Sequence, residues 1–524
     1  MKTSCIMLQG TGSHVGKSVL VAALCRIFLQ DGYKVAPFKS QNMALNSYVT
    51  KDGGEMGRAQ VVQAEAAGLE PDVIMNPVLL KPTGQATSQV IVLGKPVGNL
   101  SAKEYHEKYN MSVLEVVKES LNKLKSEFEV VVIEGAGSPA EVNLQATEIV
   151  NMRIARMADC PVLLVADIDK GGALASVVGT LELLDPADRA RVAGVIINKF
   201  RGDVRLFYPA VEFLEKKTGV PVLGIVPYFQ GFRVQEEDTI PEETLKAGKE
   251  AVENKIDVVV INLPHISNFT DFDPLEDEPD VQLRYVGKGS KLGNPDIIII
   301  PGSKNTIHDL AYLEKSGMAA RIREQEQRGI PVVGICGGFQ ILGRELHDPL
   351  HTESDIDSMK GLGLLDIVTT FDPDKITTQV QAEVVGSGPL LSGAKGRPVT
   401  GYEIHMGRSE LGEGVEPAFR IFERSTKGVD VLDGAVRADG RVFGTYIHGI
   451  FDNDGFRRHI IDLIREHKGW APLADSDILT VREQRDKDFN KLADVVRNSL
   501  DMDKLCQIMK LDSADKETRR LGAI

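Results

Sequence analysis

The sequence is short of cysteine, of long apolar runs and of net positive charge, and each shortage narrows what the protein can be. Its five cysteines, Cys5, Cys25, Cys160, Cys336 and Cys506, are an odd number among 524 residues and form no C-x-x-C pair. That pattern argues against a disulfide framework and a structural zinc site, and a reducing cytoplasm fits best. The opening MKTSCIMLQGTG reaches glycine too soon for a secretory core, and no later apolar run approaches the roughly 18 residues needed to span a bilayer. A soluble, cytoplasmic protein with no membrane partner is expected. The 75 acidic side chains outnumber the 61 basic ones, giving a formal charge of −14. Proteins that grip a phosphate backbone carry a basic face, so no nucleic-acid partner is expected. Any anionic ligand must be held by local groups.

What is present is enough apolar residue, 42%, to build about two to four cores over this length. Short apolar runs ending in Gly, Pro or Asp alternate with longer amphipathic stretches, the pattern of strands and crossover helices around parallel sheets. The expected class is α/β, with two mainly parallel sheets. The first series of strands includes residues 5–8, 130–133, 162–166, 192–197 and 222–226. Its helices include 17–30 and one opened by Ser101 with Glu104 three residues on, a capping-box pattern. A second series includes 258–262, 297–300, 332–335 and 442–446. Between them lies a charged stretch expected to be a connector with one helix, and after Phe451 the pattern becomes helical. The expected domains are 1–230 and 256–455, with a linker at 231–255 and a helical tail at 456–524.

The run LQGTGSHVGKS follows the first strand and opens the first helix. Phosphate binding needs converging backbone N–H groups, glycines that let the chain approach, and the positive end of a helix dipole. Gly12, Gly16, Lys17 and Ser18 supply these, with Lys17 reaching the outer phosphates of ATP and Ser18 able to ligate Mg2+. Thr11 stands where the usual P-loop has glycine, and this longer loop resembles that of dethiobiotin synthetase. Glu134 ends the strand in VVVIEGAG, where open α/β sheets place ligands, and a carboxylate there can share the metal. ADIDKGG carries Asp167, Asp169 and Lys170 after another strand, suited to metal, phosphate or acyl phosphate. The dethiobiotin synthetase likeness implies adenine recognition by Asn198 in INKFRGD.

In the second half, PVVGICGGFQILG reads as strand, tight turn and helix, with Cys336 at the turn. Small neighbours permit a sharp bend that exposes a nucleophile, and the helix N-terminus favours its thiolate. The other four cysteines read as buried packing residues. A thiolate nucleophile needs a base and oxyanion donors. His448, at a strand end in VFGTYIHGIF, is the base of choice, and His405 in GYEIHMG is second, with a structural role the better reading for it. The backbones near Gly302 in IIIIPGSKNT and at Gly337 are the candidate donors.

PGSKNT, GICGGFQILG and GTYIHGIF resemble a class I glutamine amidotransferase domain of the cobyrinate type. KSQNMALNSYVT, EMGRAQ, MNPVLLKP, EGAGSPAEVNL, ADIDKGG and INKFRGD resemble the synthetase domain of the cobyric acid synthase family. The resemblance covers nearly the whole chain. It implies that ammonia from glutamine amidates the b, d, e and g carboxylates of adenosylcobyrinic acid a,c-diamide, activated by ATP. Glutamine and a corrinoid polycarboxylate would be the small-molecule partners. Ordinary class I enzymes carry Glu two residues after the histidine, where this chain has Ile450, so the resemblance implies a Cys336–His448 dyad, with Asp452 and Asp454 the nearest acids in sequence. Gln41, Asn42 and Asn46 either face the corrinoid or the phosphates, or are solvated loop groups. Two alternatives stay open: a cobyrinate a,c-diamide synthase, and a P-loop regulatory ATPase with a degenerate amidotransferase-like module.

Overall fold

The computed structural model describes residues 3–511 except 85–86, 106–111, 146, 230–251, 253, 472 and 474–478. The connector helix expected between the two halves lies outside the described residues. The chain forms two units, one of residues 1–44, 55–238 and 483–524, the other of 45–54 and 239–482.

The first unit is built on a six-stranded, all-parallel sheet. Its spatial order is Val222–Pro227, Val192–Phe200, Val162–Asp167, Ser4–Gly10, Val130–Glu134 and Val35–Phe38. The first strand in sequence is therefore central, with later strands on both sides, and the topological switch falls at its carboxyl end. The inner strands Ser4–Gly10, Val130–Glu134 and Val162–Asp167 are buried on both faces, which is why they read as unbroken apolar runs. The edge strand Val35–Phe38 is four residues long and contains Pro37, a residue that only an edge tolerates. The helix Lys17–Gln30 starts and stops where its apolar pattern does, and Ser101 and Glu104 form the expected capping box, Ser101 N–H to Glu104 Oε2 at 2.9 Å and Glu104 N–H to Ser101 Oγ at 3.2 Å.

The second unit has a seven-stranded sheet in the order Val281–Val286, Ile256–Ile261, Ile297–Ile300, Val332–Ile335, Val442–Thr445, Ala435–Arg437 and Val415–Glu416. The first five are parallel. An antiparallel sheet of Pro398–His405, Ile376–Val384, Phe419–Arg424 and Lys427–Asp433 is added to it.

The expected helical tail is not a separate region. Helix Asp454–His467 buries Phe456, Ile460, Ile461 and Ile464 in the core of the second unit. Helix Val481–Ser499 instead inserts Phe489, Leu492, Ala493 and Val496 among Val19, Ala23 and Phe28 of the first unit. Arg497 seals that contact with an ion pair to buried Asp31 at 3.0 Å. An amphipathic helix needs an apolar partner, and sequence distance does not decide which one it finds.

Candidate active site

In the first unit the phosphate-loop motif joins the central strand to helix Lys17–Gln30. Gly16 sits at φ 91°, and a Cβ there would collide with the Asn198 amide, so the position admits only glycine. Lys17, 1% exposed, folds its ammonium to the Gly12 carbonyl at 3.1 Å. Glu134, at the end of the neighbouring strand, gathers three donors: Ser18 Oγ at 2.8 Å, Lys39 Nζ at 2.7 Å and Gln63 Nε2 at 2.6 Å. Burial alone would raise the Glu134 pKa, but Lys39, Gln63 and Lys17 outweigh it and hold the carboxyl ionised, below its ordinary value. Asn198 donates from Nδ2 to the Val15 carbonyl at 2.8 Å, while its Oδ1 is buried without a partner among the described residues. The carbonyl partner fixes which way that amide points.

In the second unit three parallel strands end side by side: Ile297–Ile300 before Gly302, Val332–Ile335 before Cys336, and Val442–Thr445 before His448. Cys336 N–H bonds the Thr445 carbonyl at 2.8 Å, tying the two strand ends together. Cys336 itself has φ 51° and ψ −110°, a strained conformation that a tight nucleophile turn imposes. Its neighbours are small because the backbone is crowded. A Cβ on Gly338 would run into the Ile300 carbonyl, one on Gly337 would lie 2.9 Å from Ser303 N, and one on Gly302 3.1 Å from His448 Cε1.

His448 is 1% exposed and lies between two partners. Its Nδ1 meets Asp271 Oδ2 at 2.6 Å, and the Cys336 sulfur, which donates to the Ile404 carbonyl at 3.5 Å, is close enough to act on its charge. Burial would push the imidazole pKa down; the Asp271 carboxylate and the Cys336 sulfur reverse this and raise it to about 10. The Gly449 N–H donates to the other Asp271 oxygen at 3.1 Å. Asp271 belongs to the short 3-10 turn Phe269–Phe272, which follows strand Ile256–Ile261 in the same sheet. Chemically, such a series can serve as nucleophile, base and orienting carboxylate.

Residues 6–241 match the model of the CobQ/CobB/MinD/ParA nucleotide binding domain, and residues 257–456 that of the CobB/CobQ-like glutamine amidotransferase domain. The cobyric acid synthase of Pelotomaculum thermopropionicum is 60% identical over 464 residues, 88% of each chain. That of Moorella thermoacetica is 56% identical over 507 residues, 97% of each, and that of Desulfitobacterium hafniense 55% over 511 residues, 97% of this chain and 98% of its own. The chain belongs to the cobyric acid synthase family.

Within this family member the acid that orients His448, in place of the missing glutamate, comes from elsewhere in the chain. The ring nitrogen of His448 goes to Asp271, not to Asp452 or Asp454, and Asp454 accepts from Arg457 at 2.8 Å and from Val481 N–H at 3.1 Å. Ile450, in the place of the usual glutamate, is buried in the apolar core. His405 is structural: it stacks on Tyr446 at 3.8 Å and its Nδ1 donates to the Gly407 carbonyl at 3.1 Å.

The remaining candidates divide. Asp167 pairs in register with Asn198 at adjacent strand ends and accepts the Asp169 N–H at 2.9 Å, while Asp169 pairs with Arg201 at 2.8 Å. Lys170 is exposed beside them. Gln41 and Asn42 are not solvated loop groups: Gln41 accepts from Tyr105 at 2.6 Å and buried Asn42 donates to Gln60 at 2.9 Å. Asn46 falls in the second unit, with residues 45–54. Sequence reading missed Lys39 and Gln63, which grip Glu134, and it missed Asp271. Lys39 directly follows the short strand Val35–Phe38, a position that could have marked it.

Proposed function

We propose that this chain makes cobyric acid by amidating the b, d, e and g carboxylates of adenosylcobyrinic acid a,c-diamide, using ATP and ammonia that it cuts from glutamine. The observation that carries the reading is the His448 ring held between Asp271 and Cys336 on neighbouring strand ends. The Cys336 thiolate attacks the carboxamide carbon of glutamine, and the backbone N–H groups at Gly302 and Gly337 receive the oxyanion. The His448 imidazolium gives its proton to the departing nitrogen, and ammonia leaves. Water, deprotonated by the same imidazole, then hydrolyses the thioester to glutamate and restores the thiolate.

A carboxylate does not react with ammonia unaided, because oxide is a poor leaving group. The loop of Gly12, Gly16, Lys17 and Ser18 holds the ATP phosphates, and the γ-phosphoryl group passes to a corrinoid carboxylate as an acyl phosphate. Ammonia then displaces phosphate and the amide forms. The unpartnered Oδ1 of Asn198 suits the exocyclic amine of adenine. The adjacent Ser18 hydroxyl and Glu134 carboxylate would hold a Mg2+ ion, which would supply charge neutralisation for phosphoryl transfer. Asp167, Asp169 and Lys170 lie near enough to the Asn198 strand end to contribute to the same site.

No described helix is long and apolar enough to cross a membrane. All five cysteines are buried and none is in a disulfide among the described residues, which supports a place in the cytoplasm. The test is Cys336→Ala. Amidation with glutamine should fall to background while amidation with an added ammonium salt persists. Loss of both would make Cys336 a packing residue.

A further inference from the structure

Residues 45–54 lie inside the nucleotide-binding half of the sequence, between Ala44 and Glu55 of the first unit, yet they are part of the second. Their contacts there are specific. Asn46 is 3% exposed, and its Oδ1 accepts the Phe269 N–H at 3.3 Å. Ser47 N–H donates to Asn268 Oδ1, also at 3.3 Å. Asn268 is in the left-handed region at φ 52°, and its carbonyl accepts the Asp271 N–H at 3.0 Å, so Asn268 and Phe269 form the turn that aims Asp271 at His448.

The next residue reaches the other partner. The Tyr48 ring lies edge-on to Tyr402, centroids 5.2 Å apart at 62°. Tyr402 in turn stacks on the His448 ring at 5.3 Å and 14°, and the two residues exchange backbone bonds of 2.8 and 3.2 Å. Asn268 Nδ2 donates to the Tyr402 hydroxyl at 3.2 Å, closing the circuit. The segment is fastened behind: Gln379 Nε2 donates to the Tyr48 hydroxyl at 3.0 Å and to the Val49 carbonyl at 2.8 Å, and Val49 is buried with Tyr402 and Ile404.

We propose that Asn46–Val49 is a strap that positions the glutaminase: through Asn268 it sets Asp271, and through Tyr402 it sets the plane of His448. Asn46 and Tyr48 are positioning residues, since neither touches the reacting atoms. The inference rests on the reading of Cys336, His448 and Asp271 as the glutaminase centre. It adds that the amidotransferase family region at 257–456 is incomplete without ten residues encoded far upstream.

The experiment compares full-length Tyr48→Ala, Tyr48→Phe, Asn46→Leu and Asn46→Asp with the unmodified chain, measuring glutamate release from glutamine and, separately, amidation driven by ammonium. Misplacing a base by a fraction of an ångström predicts a kcat loss of about 10- to 100-fold for glutamate release in Tyr48→Ala and Asn46→Leu. KM for glutamine should change by less than about threefold, because the substrate-binding groups are untouched. Tyr48→Phe keeps the ring and Asn46→Asp keeps the acceptor, so both should recover most of the lost kcat. Ammonium-driven amidation should be unchanged in all four. Normal glutaminase kcat in Tyr48→Ala and Asn46→Leu would overturn the strap, as would an equal loss of ammonium-driven amidation, which marks a global defect. Cys336→Ala separates the two levels: glutamate release that survives it overturns the reading of the centre itself.

Discussion

Asp271 reaches His448 across 177 residues of sequence, and the charge it brings decides the protonation state of the base. Burial alone would leave His448 neutral at physiological pH, but Asp271 and the Cys336 sulfur hold it charged to about pH 10. The sign follows from linkage. A folded-state value above the ordinary 6.5 means that the ion pairs stabilise the fold fully below 6.5 and lose that contribution as pH rises toward 10. Asp271→Asn removes the charge while keeping the shape. Glutamine hydrolysis should slow on the order of 10²- to 10⁴-fold, with the alkaline limb of its pH–kcat profile moved to lower pH. A limb left in place would mean that Asp271 does not set the state of His448. Cys336 and His448 were legible in the sequence because each carries a local signature, a glycine frame or a strand-end glycine. Asp271 was not, because it lies in an acid-rich run, DFDPLEDEPD, whose spacing singles out no member. The three-dimensional turn at Asn268 selects it.

Elements with a strong period were legible and those without were not. The helix Lys17–Gln30 and the central strands follow from unbroken apolar runs. The antiparallel strands did not stand out, since ITTQVQAEV keeps only alternate residues buried and reads as a polar segment. The helix Val481–Ser499 was legible as a helix but not as part of the nucleotide-binding core. Leu492 is fully buried there, so Leu492→Ala should destabilise the first unit by about 2–5 kcal/mol, read as a lower urea midpoint. At the phosphate loop, Gly16→Ala places a Cβ against Asn198 at a positive φ. Titration calorimetry should show ATP binding weakened by about tenfold or more, the cost of strain of this kind.

For the molecule as a whole, the charge of −14 excludes broad electrostatic capture of ligands, not anionic ligands themselves. The proposed anionic ligands would therefore depend on converging N–H groups and local cations such as Lys17 and Lys39. Two α/β sheets in this order were legible from the motifs. That the chain leaves the first unit after Ala44, returns at Glu55, is in the second again by Ile256 and comes back to the first at Glu483 was not, because no local pattern records which core a segment joins. The proposed reaction couples a Cys336 glutaminase to repeated carboxylate activation on a corrinoid within one chain. Its most direct test is mass spectrometry of adenosylcobyrinic acid a,c-diamide incubated over time with the full chain, ATP and glutamine. The account predicts a ladder of amidated products ending at cobyric acid, stopped by Cys336→Ala and restored to that variant by ammonium. An a,c-diamide whose mass stays unchanged in the presence of the full chain, ATP and glutamine would contradict it.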